Sequence, residues 1–124
     1  MYESLVYELK ELDEQISDVI VASSKGDIIS STIKDIERLE DAGMEQALFE
    51  MSLILDMLKG REKHFGVLHN LHVTFEKNKL LVFPLPDDNM LFISYQGHGF
   101  DSQFVNTIRS RCQGKEEQQS VNST

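Results

Sequence analysis

"LLVFPLPDDNMLFISY", residues 80–95, holds two strand-sized apolar runs parted by Asp87, Asp88 and Asn89, residue types that turn a chain. Within each run the apolar residues are near-continuous rather than alternating, so both faces of each strand need cover. Two such strands belong in the middle of a sheet with helices on either side. The rest of the chain has to supply those helices and the remaining strands.

Upstream, Tyr2, Leu5, Val6, Leu9 and Leu12 recur at helical spacing and predict a first helix. The apolar, β-branched run from Ile16 to Ala22 and the following "DIISSTI" predict a hairpin around Lys25, Gly26 and Asp27. Asp35 is placed to cap a long second helix that runs to about Lys59 and stops at Gly60. From Val67 to Lys77 the chain alternates, with Val67, Leu71, Val73 and Phe75 on one side and Asn70, His72, Thr74 and Glu76 on the other, as in an edge strand with one wet face. Phe100, Phe104, Val105, Ile108 and Cys112 mark a third helix over about 101–112.

The expected architecture is α+β, in the order α-β-β-α-β-β-β-α. It is a three-layer α/β/α sandwich around a five-stranded, antiparallel-type sheet, with the second helix on one face and the first and third on the other. Residues 1–112 form one domain, and the polar stretch 113–124 lacks an apolar stripe and is expected to be a disordered tail.

Of the formal charge of −9 all falls on the first 60 residues, which hold 14 acidic and 5 basic side chains; residues 61–124 hold seven of each. Such a surface disfavours nucleic acid and anionic lipid and suits a protein partner with a basic face. No apolar run approaches the roughly 20 residues that cross a bilayer, and the acidic, amphipathic N-terminus is unlike a secretory signal. With one cysteine, the chain is expected in a reducing compartment, the cytoplasm, without direct membrane insertion.

The glycine and lysine in "VIVASSKGDIISST" invite comparison with a phosphate-binding loop. That loop needs two glycines and a strand-to-helix junction, whereas here a strand follows a single glycine, so Gly26 is read as a hairpin turn. His64, His69, His72 and His98 lack metal-ligand spacing. Cys112 falls on an apolar helix side, and the acidic residues are spread over helical surfaces. No catalytic residue, metal or cofactor is expected.

The second helix is the anomaly. Met44, Ala47, Leu48, Met51, Ile54, Leu55 and Leu58 suffice to cover a sheet, yet Leu39, Ala42, Phe49, Leu53 and Met57, in line with Gln46, fall on nearly the opposite side at about 100° per residue. An uncovered stripe of this kind predicts a contact with another chain. With the edge-strand positions Asn70, His72 and Thr74, these residues form the expected dimer or partner interface.

The pattern resembles the roadblock / dynein light chain family. The similarity rests on "LKELDEQISDVIVASSKGDIIS" as opening helix, first strand and glycine turn, on the long second helix, on "LLVFPLPDDNMLFISY", and on "GFDSQFVNTIRSRC" as closing helix; it spans about residues 2–112. Where members often carry an alanine-rich second helix, this chain has Phe49, Met51 and Met57. The resemblance implies a fold of roadblock/longin/profilin type, paired through the second helix and third strand into one continuous sheet. It also implies a non-catalytic platform for a small Ras-like GTPase, acting as scaffold, activator or exchange assistant, in a homodimer or with another roadblock-like chain. Arg38, Arg61, Arg109 and Arg111 are candidates for an activating residue, and charge alone singles out none of them. The alternative is a small-ligand sensor of similar shape, with a cavity between the sheet and the second helix.

Overall fold

The computed structural model describes residues 2–39 and 41–122, with side chains described for 2–35, 37–39, 41 and 43–113. In chain order the elements are α1 (Glu3–Lys10), β1 (Ile16–Ala22), β2 (Ile28–Ser31), α2 (Ile36–Leu39), α3 (Ala42–Lys59), α4 (Glu62–Phe65), β3 (Leu71–Thr74), β4 (Lys79–Pro84), a 3-10 turn (Pro86–Asp88), β5 (Met90–Tyr95) and α5 (Ser102–Asn122). The strands form one sheet in the order β2-β1-β5-β4-β3, and every neighbouring pair is antiparallel.

The near-continuous apolar strands lie where their composition requires, at the centre. Leu81 and Phe83 of β4 with Leu91, Ile93 and Tyr95 of β5 face α1 and α5, where Leu5, Val6, Leu9 and Ile108 close over them. The alternate residues Val82, Met90 and Phe92 face α3 and meet Leu48 and Leu55. In β1, Val19 and Val21 point one way and Ile20 and Ala22 the other. Ile16, out of phase with Val19, still joins the α1/α5 core because the β1–β5 register shifts between Ile16 and Asp18. The sandwich and its assignment of helices to faces follow the sequence reading.

Gly26 turns the β1–β2 hairpin at φ +89°, a left-handed conformation that glycine adopts without strain. The turn closes with Gly26 N–H donating to Ser23 C=O at 3.0 Å and Ser23 N–H to Asp27 C=O at 2.9 Å.

Three boundaries differ from expectation. The long second helix is two: Asp35 accepts from Glu37 N–H at 3.0 Å and caps α2, and Asp41 accepts from Gly43 N–H at 2.7 Å and caps α3. An N-cap residue takes non-helical torsions, and Asp41 at φ −63°, ψ 120° restarts the helix in a new phase. The strand expected from Val67 to Lys77 shrinks to Leu71–Thr74. Before it, α4 ends at Gly66 with φ +88°, and Glu62 Oε2 holds Leu68 N–H at 2.6 Å; after it, Phe75 N–H turns back onto Asn78 C=O at 2.9 Å. Lastly, α5 continues to Asn122, beyond the third helix's expected end at about 112. A helix once nucleated extends readily through Gln, Lys and Glu, all good helix formers, even without an apolar stripe.

Candidate functional site

One flank of α3 is fixed to the β1–β2 turn. Ser52 Oγ, buried, donates to Ser24 C=O at 2.8 Å. A Cβ added to Gly26 would stand 3.0 Å from the Glu45 carbonyl oxygen and 3.2 Å from Phe49 Cβ, so backbone and helix touch there. The Ser52 hydroxyl ties the helix to the hairpin.

The opposite flank is open. Met44, Ala47 and Met51 overhang a groove of about 260 Å³ whose walls include Ile20, Ile33, Leu80 and Phe92, with Phe75 at its rim. Asp18, Arg38 and Ser94 supply its polar end. Asp18 accepts from Thr32 Oγ1 at 3.1 Å and pairs with Arg38 at 3.3 Å and Lys10 at 3.9 Å, so both the acid and Arg38 are already engaged. Ile54 and Leu58 continue this flank by helical spacing. Leu58 meets Phe65, Val67 and Leu68 around a second hollow of about 280 Å³. Phe75, Val67 and Phe65 are 54%, 74% and 86% exposed, an uncovered apolar band beside the outer strand.

Elementary dimensions explain the gap. Five strands about 4.8 Å apart span about 19 Å between the outer axes, whereas a helix with its side chains is about 10 Å across. Two helices cover the α1/α5 face; α3, tied to the β1–β2 turn at Gly26 and Ser52, leaves a groove that crosses β1, β5 and β4 at Ile20, Phe92 and Leu80.

At the outer edge of the sheet β3 pairs with β4 through Leu71↔Val82 to Thr74↔Lys79, and its other edge has no strand partner among the described residues. Leu71 and Val73 are half-buried, while His72 and Thr74, on the other face of the strand, are exposed. His72 Nε2 contacts Tyr95 OH, and a column of rings follows: His72 to Tyr95 at 5.8 Å between centroids, Tyr95 to Phe100 at 4.6 Å, Phe100 to Phe104 at 4.5 Å. Burial pushes the Tyr95 phenol up from its ordinary value, which keeps it neutral and available to the imidazole. The ring column thus backs the edge strand on its α5 side.

The predicted interface residues divide between two surfaces. Asn70, His72 and Thr74 line up at or just before the free edge. Gln46, Phe49, Leu53 and Met57 share the outer side of α3, where the last three are 39%, 46% and 70% exposed and Gln46 Nε2 donates to Glu50 Oε1 at 3.1 Å. Leu39 does not join them: it lies in α2 and packs into the core beneath α3, because the break at Asp41 resets the helical phase. Ala42 opens α3, and its side chain lies outside the described residues. Met44, Met51, Leu80 and Phe75, which line the groove, are not among the predicted interface residues. The count of one helix for one whole sheet face was the signal that pointed to them.

The remaining candidates are placed as follows. His64 lies in α4, and His69 and His98 in connections. Among the described residues no three His, Cys, Asp or Glu side chains stand where they could hold a metal. Cys112 is buried, and burial pushes its thiol up to about 12, so it stays protonated. Arg111 pairs with Glu8 across α5 and α1. Among the described residues no helix is long and apolar enough to cross a membrane.

Neither the protein-family models nor the curated proteins contain a match to this sequence. Solved structures do match in three dimensions. A roadblock/LC7 domain from Streptomyces avermitilis superposes with a TM-score of 0.71 at 12% identity, over 96% of this chain and 97% of that one. MglB from Myxococcus xanthus gives 0.65 at 14% identity, over 94% and 91%, and MglC from the same organism 0.56 at 16%, over 92% and 98%. At such low identity what is shared is the path of the backbone and the layering of helices on the sheet: this chain has the roadblock/LC7 fold.

Proposed function

We infer that the chain pairs with a second copy of itself through the α3 groove and the β3 edge. The paired assembly is a non-catalytic cytoplasmic platform for a small Ras-like GTPase, whose nucleotide state or location it modulates as scaffold, activator or exchange assistant. The observation that carries the pairing is the incompletely covered α3 face: a groove of about 260 Å³ lined mostly by apolar side chains, on a sheet whose outer strand has a free edge. A second copy answers both needs at once, since β3 can pair with its symmetry mate while the partner's helix covers the groove. Asn70, His72 and Thr74 then lie at the strand junction. Gln46, Phe49, Leu53 and Met57 remain on the outside as the surface for a further partner. The GTPase itself is drawn from the family resemblance and from the fold that the chain shares with roadblock domains. A heterodimer with another roadblock-like chain would use the same groove.

The test is immobilised protein offered GTP-loaded and GDP-loaded Ras-like GTPases, with Leu53→Asp and Met57→Asp as controls. Retention that depends on nucleotide and is lost in the controls supports the platform. Equal retention by wild type and both variants contradicts the assigned surface.

The groove also favours a second reading, a sensor that binds an apolar small molecule between sheet and helix. Its volume lies just under the ~300 Å³ at which pockets for drug-sized ligands begin. Stabilisation against heat by an apolar compound, with the protein monomeric at all concentrations, would select this reading.

A further inference from the structure

At the far end of β4 from the groove's rim, past the last β3 pair at Val82, Phe83 and Pro84 pair with β5 alone. A separate cavity of about 230 Å³ opens there between the turn that follows α3 and the side of α5. Its apolar wall includes Leu68 and Leu85, and its polar side includes Lys59, Arg109, Glu62 and the His69 ring. Glu62 is already engaged, since its Oε2 accepts the Leu68 N–H at 2.6 Å. Lys59 and Arg109, both half-buried, have no ion pair and no side-chain hydrogen bond among the described residues. Arg38 and Arg111, by contrast, each hold a carboxylate.

In a chain of net charge −9, two half-buried cations from different elements that share one cavity and have no partner among the described residues are an asymmetry that calls for an anion. We propose that this cavity binds a small organic carboxylate, its head held by Arg109 and Lys59 and its short apolar body against Leu68 and Leu85. Guanidinium matches carboxylate with two parallel N–H bonds, and the lysine adds a point charge. At about 230 Å³ the cavity lies below the ~300 Å³ at which pockets for drug-sized ligands begin, and has room for an acid of a few carbons. An inorganic anion would leave the apolar wall wet. Cys112, at the cavity's edge, is a neutral thiol and brings no competing negative charge.

The test is amide NMR titration of the full chain with hexanoate, hexan-1-ol and inorganic phosphate. Hexanoate is expected to shift the amides of His69, Leu85 and Gln113 along one saturable curve, with hexan-1-ol and phosphate each weaker by about tenfold or more. Arg109→Gln and Lys59→Gln, on different helices, are each expected to weaken hexanoate by about tenfold while the remaining spectrum is kept. No saturable shift at those amides, equal binding of the alcohol or of phosphate, or wild-type affinity in both variants would overturn the proposal. The cavity lies apart from the groove, so failure here leaves the pairing untouched.

Discussion

The two faces of the sheet are built from one set of strands and are finished differently. On the α1/α5 face fifteen buried residues form the described core, whereas on the α3 face there are eight, of which α3 itself contributes Leu48 and Leu55. The difference is not in hydrophobicity, since the alternate residues of β4 and β5 are apolar on both sides. It lies in how many helices the chain can lay down on each face. A closed face stabilises the monomer; a half-open one carries apolar surface whose burial awaits another molecule.

The comparison is broken most severely by emptying the closed face. Phe83→Ala removes a buried ring beneath α1 and α5, and is expected to lose about 3–5 kcal/mol of unfolding free energy in denaturant titration, at any protein concentration. Phe75→Asp, on the open face at the groove's rim, is expected to leave the fold and its circular dichroism in place but abolish pairing; Met57→Asp, on the outer side of α3, should leave the mass unchanged. If both variants behave alike, the flank assignment is wrong. Gly26→Ala tests what ties α3 to the β1–β2 turn. At φ +89°, with the Glu45 carbonyl 3.0 Å from the new methyl, it is expected to cost about 1–3 kcal/mol by thermal or chemical unfolding. The smallest effect belongs to the exposed Arg111–Glu8 pair that links α5 to α1. Glu8→Gln should change stability by about 0–1 kcal/mol, and less in high salt.

Much of this was legible in the sequence, and for a definite reason. Residues 80–95 allow few arrangements, because strands apolar on both faces must lie centrally, and the stripes of α1 and α5 are single. What sequence periodicity missed was punctuation and geometry. Asp41 interrupts a pattern that reads smoothly from Asp35 to Lys59, and the interruption moves Leu39 from the outer stripe into the core. Glu62 and Gly66 fold the start of the expected third strand into a turn, so an alternating pattern from Val67 to Lys77 yields four paired residues. The groove was hidden because Met44, Met51 and Leu80 look like core by composition. Only the seating of α3 on the β1–β2 turn, through Ser52 and Gly26, leaves the groove beside them open.

The account stands or falls on whether the open face is closed by a second copy, and solution mass by light scattering during gel filtration, across a range of concentrations, asks this most directly. The prediction is a stable mass near twice 14.2 kDa for the wild type, falling to the single-chain value for Phe75→Asp. A wild-type chain that stays at 14.2 kDa throughout would contradict the pairing and leave the groove to another occupant.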